Sequence, residues 1–191
     1  MMLISIRGTN GSGKTTLVRK LMERSKPAPK PIYGVLGPRN SEALELTLKG
    51  VKKPVYVLGS YHVASGGCDQ IQPYDLILDL LEKYSAKGHV VFEGVIVSSS
   101  YGRVGALMEK HGQQAVMAFL TTSLEDCLKN VQKRRDLRAD TRVYDPSNTI
   151  SKFTSIMRSK PKMLEEKKVR VEDLDPDKGV EQVISWLKEA A

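Results

Sequence analysis

Residues Gly8-Thr9-Asn10-Gly11-Ser12-Gly13-Lys14-Thr15 fit the pattern G-x-x-x-x-G-K-[ST] at every required position, and Thr16 follows. What flanks this run constrains the fold. Leu3 to Ile6 is a short apolar segment that reads as a buried strand. From Lys14 to Glu23, Leu17, Leu21 and Met22 recur at helical spacing. A strand that turns through glycines straight into a helix belongs at the C-terminal edge of a parallel sheet. Glycines at 8, 11 and 13 let the backbone curl so that successive N–H groups converge on one point, and the helix N-terminus adds the positive end of its dipole. Such a turn is built for phosphate. Residues Gly8 to Thr16 are therefore the expected nucleotide-binding residues, with the Lys14 ammonium on the β and γ phosphates and the Thr15 hydroxyl as a Mg²⁺ ligand.

The rest of the chain alternates strands with helices. Ile32–Leu36, Ala43–Lys49 and Pro54–Leu58 carry β patterns, and the strict alternation of Leu44 to Lys49 marks a half-exposed strand that can form a small antiparallel ribbon beside the main sheet. Helices are predicted over Tyr74–Lys87, Arg103–His111 and Val180–Glu189, and around Ile150, Phe153 and Met157, where Pro161 is expected to bend or end the helix. Thr122 to Glu125 reads as a capping box opening a basic helix. Buried strands are predicted at His89–Gly94, Ala115–Leu120 and Val169–Val171. Short, continuously apolar strands between helices indicate an α/β fold with a parallel sheet covered on both faces, and no linker divides residues 1–191 into two domains.

Composition narrows the partners. There are 30 Lys and Arg against 22 Asp and Glu, a net charge of +8. Thirteen basic and five acidic residues lie between Lys129 and Arg170, so this stretch holds the whole excess. It fits an anionic partner, whether phosphate, nucleotide or nucleic acid, or else a solvated face. Cys68 and Cys127 form no Cys-x-x-Cys pair, which argues against a zinc site or disulfide framework and for reduced thiols. The apolar start is too short to span a membrane and has no basic segment before it, so a cytoplasmic protein is expected. Its oligomeric state is not legible.

Absent motifs exclude some nucleotide-binding classes. Neither Asn-Lys-x-Asp nor Asp-x-x-Gly occurs, which disfavours a GTPase and leaves ATP as the expected donor. Ser65-Gly66-Gly67 is followed by Cys68 rather than the Gln of a transporter ATPase signature. The P-loop, Val90-Val91-Phe92-Glu93, and Phe119-Leu120-Thr121 leading through Leu124–Leu128 to Arg134-Arg135 resemble the P-loop kinases over most of the chain. That resemblance implies a P-loop NTPase three-layer sandwich, a helical arginine-bearing lid near residues 129–147, and ATP with Mg²⁺ as cofactors. It places Glu93 as the acid on the Mg²⁺ side. Arg134, Arg135 and Arg138, with Arg142, become lid residues that neutralise the transferring phosphoryl group, and Asp69 is the first choice as proton acceptor, equally readable as a turn or helix cap. Tyr61, Tyr74 and Tyr101 can stack on a base or serve the core. The segment Leu174 to Asp177 lies where related kinases often pack the purine.

A narrower likeness rests on Gly59-Ser60-Tyr61, Gly66-Gly67-Cys68-Asp69 and Phe92-Glu93-Gly94. These resemble small phage-encoded P-loop kinases, some of which phosphorylate 5-hydroxymethyluracil already built into DNA. The resemblance implies phosphoryl transfer from ATP to the hydroxymethyl group, a nucleic-acid substrate and a place in the host cytoplasm. The alternatives are a kinase of a free nucleotide or other small metabolite, and a nucleotide-driven ATPase or switch with no acceptor.

Overall fold

The computed structural model describes residues 1–63, 66–166 and 168–190. Ser65, of the Gly-rich segment before Asp69, and Lys167, of the basic run, lie outside them. In chain order the elements are β1 (Leu3–Arg7), α1 (Lys14–Glu23), β2 (Lys30–Ile32), β3 (Ala43–Leu46), β4 (Val55–Leu58), α2 (Tyr74–Ser85), β5 (His89–Glu93), α3 (Val95–Ser99), α4 (Tyr101–Glu109), β6 (Ala115–Leu120), α5 (Leu124–Asp136), α6 (Ser147–Glu166), β7 (Arg170–Leu174) and α7 (Gly179–Glu189).

The strands form one seven-stranded sheet in the order β2-β3-β4-β5-β1-β6-β7. The five from β4 to β7 run parallel, with β1 between β5 and β6 in the register Ile6 opposite both Glu93 and Ala118. β3 pairs antiparallel with β4, and β2 antiparallel with β3, so the expected ribbon extends the main sheet directly. Pro31 sits in β2 at the sheet edge, where a residue without an N–H costs no interior ladder bond.

Alternation sorts the central strands into two cores. Ile4, Ile6, Val57, Val91, Val116 and Ala118 pack with Leu17, Val18 and Leu21 of α1 and with Val183, Ile184 and Leu187 of α7. Leu3, Tyr56, Val90, Phe92, Met117 and Phe119 pack with α2, α3, α4 and α6 on the other face. This is the three-layer α/β sandwich of a P-loop NTPase.

Several local expectations are corrected. Ile32–Leu36 is not a strand: β2 stops at Ile32, and Gly34 to Gly37 form a turn closed by the Gly37 N–H on the Gly34 carbonyl (2.9 Å). The cap of α5 is Ser123, one residue later than read. Its hydroxyl accepts from the Asp126 N–H (3.1 Å), while Thr122 turns away to donate to the Ser12 carbonyl (2.8 Å). Pro161 does not end its helix, because α6 continues to Glu166. The ring lies on the exposed side, and Ile156 and Met163 on the inner side anchor both halves. The lid is helical only as far as Asp136, and residues 137–146 are irregular. Helix α3 was not foreseen: five residues carry too little periodicity to be read.

Glu42, fully buried just before β3, holds the edge together. It accepts from the Val35 N–H (2.6 Å), the Lys83 ammonium (2.6 Å) and the Tyr84 hydroxyl (2.9 Å). Burial alone would raise its pKa, but these donors hold it below the ordinary carboxylate value. Glu42→Ala strands the Tyr84 hydroxyl and the Val35 amide, and a loss of about 2–4 kcal/mol is expected in the denaturant-unfolding free energy.

Candidate active site

The first turn of α1 has no intrahelical partners for its N–H groups, and they open onto a cleft of about 770 Å³ at the C-terminal edge of the sheet. The loop is held through its carbonyls, both by its own side chains and from α5 and the residues just before it. Thr9 O accepts from the Ser12 hydroxyl (2.8 Å) and the Lys14 ammonium (2.9 Å), Gly11 O from the Asn130 side chain (2.9 Å), and Ser12 O from Thr122. Gly11 has φ +77°, and a Cβ there would strike the backbone of Cys127 on α5, so only glycine lets helix and loop approach this closely.

Beneath the loop, β5 delivers Glu93. The side chain is 1% exposed and Oε1 accepts from the Thr15 hydroxyl at 2.8 Å. Burial pushes its carboxyl up to about 7, against the opposing pull of Lys14 and the Thr15 donor. Lys14 is buried as well; desolvation lowers its pKa, opposed by the charges of Glu93 and Asp69. The Glu93 carboxylate and the Thr15 hydroxyl are hard oxygen donors of the kind that suit a divalent cation, while the Lys14 ammonium is free to meet phosphate oxygens.

Asp69 also lines the cleft, and its carboxylate caps α3: Oδ2 accepts from the Val95 N–H (2.9 Å) and Oδ1 from the Ile96 N–H (3.0 Å). Each oxygen keeps a further lone pair. Gly67 has φ +73° and a Cβ there would lie 2.6 Å from the Glu93 carbonyl, so the Gly66-Gly67 turn exists to bring Asp69 against the end of β5. Helix α3 is tied back to the loop: the Ser98 hydroxyl accepts from the Gly8 N–H (3.3 Å), and the buried Arg7 guanidinium donates to the Ser98 carbonyl.

The lid arginines separate. Asn130, Arg134 and Arg138 follow one another at four-residue spacing and all line the cleft. Among the described residues neither Arg134 nor Arg138 has a carboxylate partner. Burial and the neighbouring Arg138 lower the pKa of Arg134. Arg135 turns into the lid, where it pairs with Asp140 (2.9 Å) and lies over the Tyr144 ring, while Arg142 pairs with the same aspartate (2.8 Å). Arg135 and Arg142 thus lie outside the cleft lining, engaged in folding the lid. Arg19 lines the cleft and was missed, although it stands one helical turn beyond Thr15. Pro176 and Asp177, after β7, line the end beside Asn10 and Gly13.

The three tyrosines considered as base platforms serve the core. Tyr61 is buried and so is the Tyr74 hydroxyl, while Tyr101 donates to Glu166 (2.8 Å). Much of the basic stretch is locally compensated: Lys160 pairs with Asp173, Lys162 with Glu166 (3.7 Å), Lys168 with Glu109 (3.5 Å), and Arg170 with Glu172 and Glu189 (2.7 and 2.9 Å). Cys68 and Cys127 are both buried free thiols. Among the described residues no helix is long and apolar enough to cross a membrane.

A family model described as Sigma-54 interaction domain, a P-loop domain, matches residues 1–144, from β1 through the lid. A protein of Pseudomonas phage PaMx11 named 5-hmdU DNA kinase is 35% identical, over 98% of this chain and 97% of its own. A second of the same name, from Pseudomonas phage M6, is 31% identical, over 80% of this chain and 83% of its own. The likeness thus reaches far beyond a shared phosphate loop, into the lid, the β2–β3 extension and the C-terminal helix, and the chain belongs to the family of these two phage proteins.

Proposed function

We propose that the chain is an ATP-dependent kinase that phosphorylates the hydroxymethyl group of 5-hydroxymethyluracil in DNA, in the cytoplasm of a host cell. The observation that carries the reaction class is the Thr15 hydroxyl 2.8 Å from the buried Glu93, in a cleft also lined by Arg134 and Arg138, which have no carboxylate partners among the described residues. The names of the two relatives support the acceptor.

The backbone amides of Asn10 to Thr15 hold the β phosphate, and Lys14 exchanges the Thr9 carbonyl for β and γ oxygens. Thr15 and Glu93 would hold Mg²⁺, which when bound offsets charge on the β and γ phosphates. Arg134 and Arg138 neutralise the equatorial oxygens of the phosphoryl group in flight, which is where phosphoryl transfer needs help. Arg19 holds the loop after β4 through the carbonyls of Tyr61 (3.2 Å) and Val63 (2.5 Å). Asp69 takes the proton of the acceptor hydroxyl through a lone pair that the α3 amides leave free, so that one carboxylate both caps the helix and serves as base.

Labelled ATP with a duplex containing 5-hydroxymethyluracil is expected to place label in the DNA; label only in small acceptors, or only in free phosphate, overturns this reading. Lys14→Ala is expected to lower turnover about 10²- to 10³-fold. Asp69→Asn, which keeps one capping acceptor, is expected to lower kcat about 100-fold with nucleotide affinity unchanged, measured by stopped-flow and by a fluorescent ATP analogue. Near-normal turnover would reduce Asp69 to a cap.

The carboxyl of Glu93 makes stability depend on pH. Between its unfolded value, 4.5, and its folded value, about 7, the native state keeps a proton that the unfolded chain releases. The nucleotide-free protein is therefore expected to lose on the order of 3 kcal/mol through this group as pH rises across that window, with no further loss above it. Glu93→Gln removes this slope in urea titrations from pH 5 to 8.

A further inference from the structure

The exposed tyrosine ring among the described residues is that of Tyr33, not one of Tyr61, Tyr74 and Tyr101. Among the described residues the exposed large apolar side chains are Tyr33, Val35, Val63, Leu137, Val143, Ile150 and Leu164. Leu137 and Val143 lie on the lid and Ile150 where α6 begins. Tyr33, Val35 and Val63 lie on the other flank, in the β2–β3 connection and in the loop after β4. All three stand at the C-terminal edge of the sheet. β2 ends there because β3 runs antiparallel to β4, and the Ser41 hydroxyl joins the two loops by donating to the Gly59 carbonyl (3.2 Å). Only Leu164 is remote from the cleft in this sense.

The connection is also tied down at its ends and at its first turn. The turn Gly34 to Gly37 closes on its own hydrogen bond, and the Val35 N–H is fixed by Glu42, itself held from α2 by Lys83 and Tyr84. Tyr33 is nonetheless 55% exposed and Val35 69%, and the same connection carries Arg39, which is exposed and has no carboxylate partner among the described residues. A loop held this firmly presents its side chains to solvent without needing to be ordered on binding. An exposed ring and an exposed guanidinium on one short connection match a nucleic-acid strand, bases on the ring and phosphate on the arginine. Strand spacing sets the reach. β3 is two places and β2 three places from β5, so the platform stands roughly 10–15 Å from Glu93, a span that a stacked strand covers in about three or four nucleotides.

We propose that the β2–β3 connection is a stacking platform for the DNA strand that flanks the phosphorylated base, with Tyr33 under a base a few nucleotides from the target and Arg39 on its phosphate. This rests on the functional reading above, from which it parts in the experiment.

Fluorescence anisotropy of a 20-nucleotide single strand, at two salt concentrations and with a non-hydrolysable ATP analogue present, is measured for the wild type and for Tyr33→Ala, Tyr33→Phe, Arg39→Ala and, as a control, Leu164→Ala. Tyr33→Ala is expected to weaken binding roughly 5- to 100-fold at both salt concentrations, with Tyr33→Phe close to wild type. Arg39→Ala is expected to lower the salt slope by about one contact, and Leu164→Ala to change nothing. On substrates carrying 5-hydroxymethyluracil, the Tyr33→Ala defect is expected in KM for a 20-mer and to vanish on a trinucleotide too short to reach the platform. Equal binding by wild type and Tyr33→Ala overturns the platform, as does the absence of any DNA binding by the wild type, or an effect of Tyr33→Ala on self-association in place of DNA affinity. Loss of DNA affinity in Tyr33→Ala from a wild type that phosphorylates no hydroxymethylated DNA overturns the functional reading alone.

Discussion

A buried lysine and a buried acid share the floor of the cleft, and the architecture around them is arranged to make that tolerable. Taking Lys14 and Glu93 out of water is costly, and each is eased by the other's field and by one short hydrogen bond, Lys14 to the Thr9 carbonyl and Thr15 to Glu93. The position of Lys14 follows from the curl of the loop after β1, and that of Glu93 from the length of β5 beside it, so the pair exists only because these strands are parallel neighbours. The cap that Asp69 places on α3, and the tie from Ser98 to Gly8, prevent either side of the floor from drifting.

The charge of the cleft is unbalanced in a directed way. Arg134 and Arg138 repel each other, and among the described residues neither is paired with a carboxylate, an arrangement that an anion in the cleft relieves. Their neighbour Arg135 differs only in angle around α5, yet it pairs with Asp140 and stacks on Tyr144, making the irregular lid a folded unit. Farther along, the basic run of α6 and β7 is largely answered by nearby acids on the same surface, pairs that contribute little to stability but cancel the long-range field. Arg19, Arg134 and Arg138 are the arginines that bring part of the net charge of +8 to the cleft.

Much of this was legible in the residues. The glycine loop, the acid at the end of a buried strand and the basic helix each carry a local signature of spacing or periodicity, and the sheet followed from short apolar strands between helices. The misreadings have a common cause. Thr122 and Ser123 are equally good caps by composition, and only the position of Ser12 decides which hydroxyl is drawn elsewhere. Pro161 looks like a helix end until Ile156 and Met163 are seen packed on either side of it. Tyr61, Tyr74 and Tyr101 look available until their neighbours are present, and Tyr33 looks unremarkable until β2 is placed at the active edge.

By itself the sequence determined that a phosphate-binding turn joins a buried strand to a helix, that a parallel sheet surrounds it, and that an acid and a set of arginines are available to it, because each of these leaves a local pattern of spacing and hydrophobicity along the chain. The tertiary structure alone decided which arginines line the cleft, that Asp69 grips α3, and which aromatic ring remains exposed at the C-terminal edge of the sheet. Each of those depends on packing between elements tens of residues apart, and a one-residue change of angle or register reverses the answer.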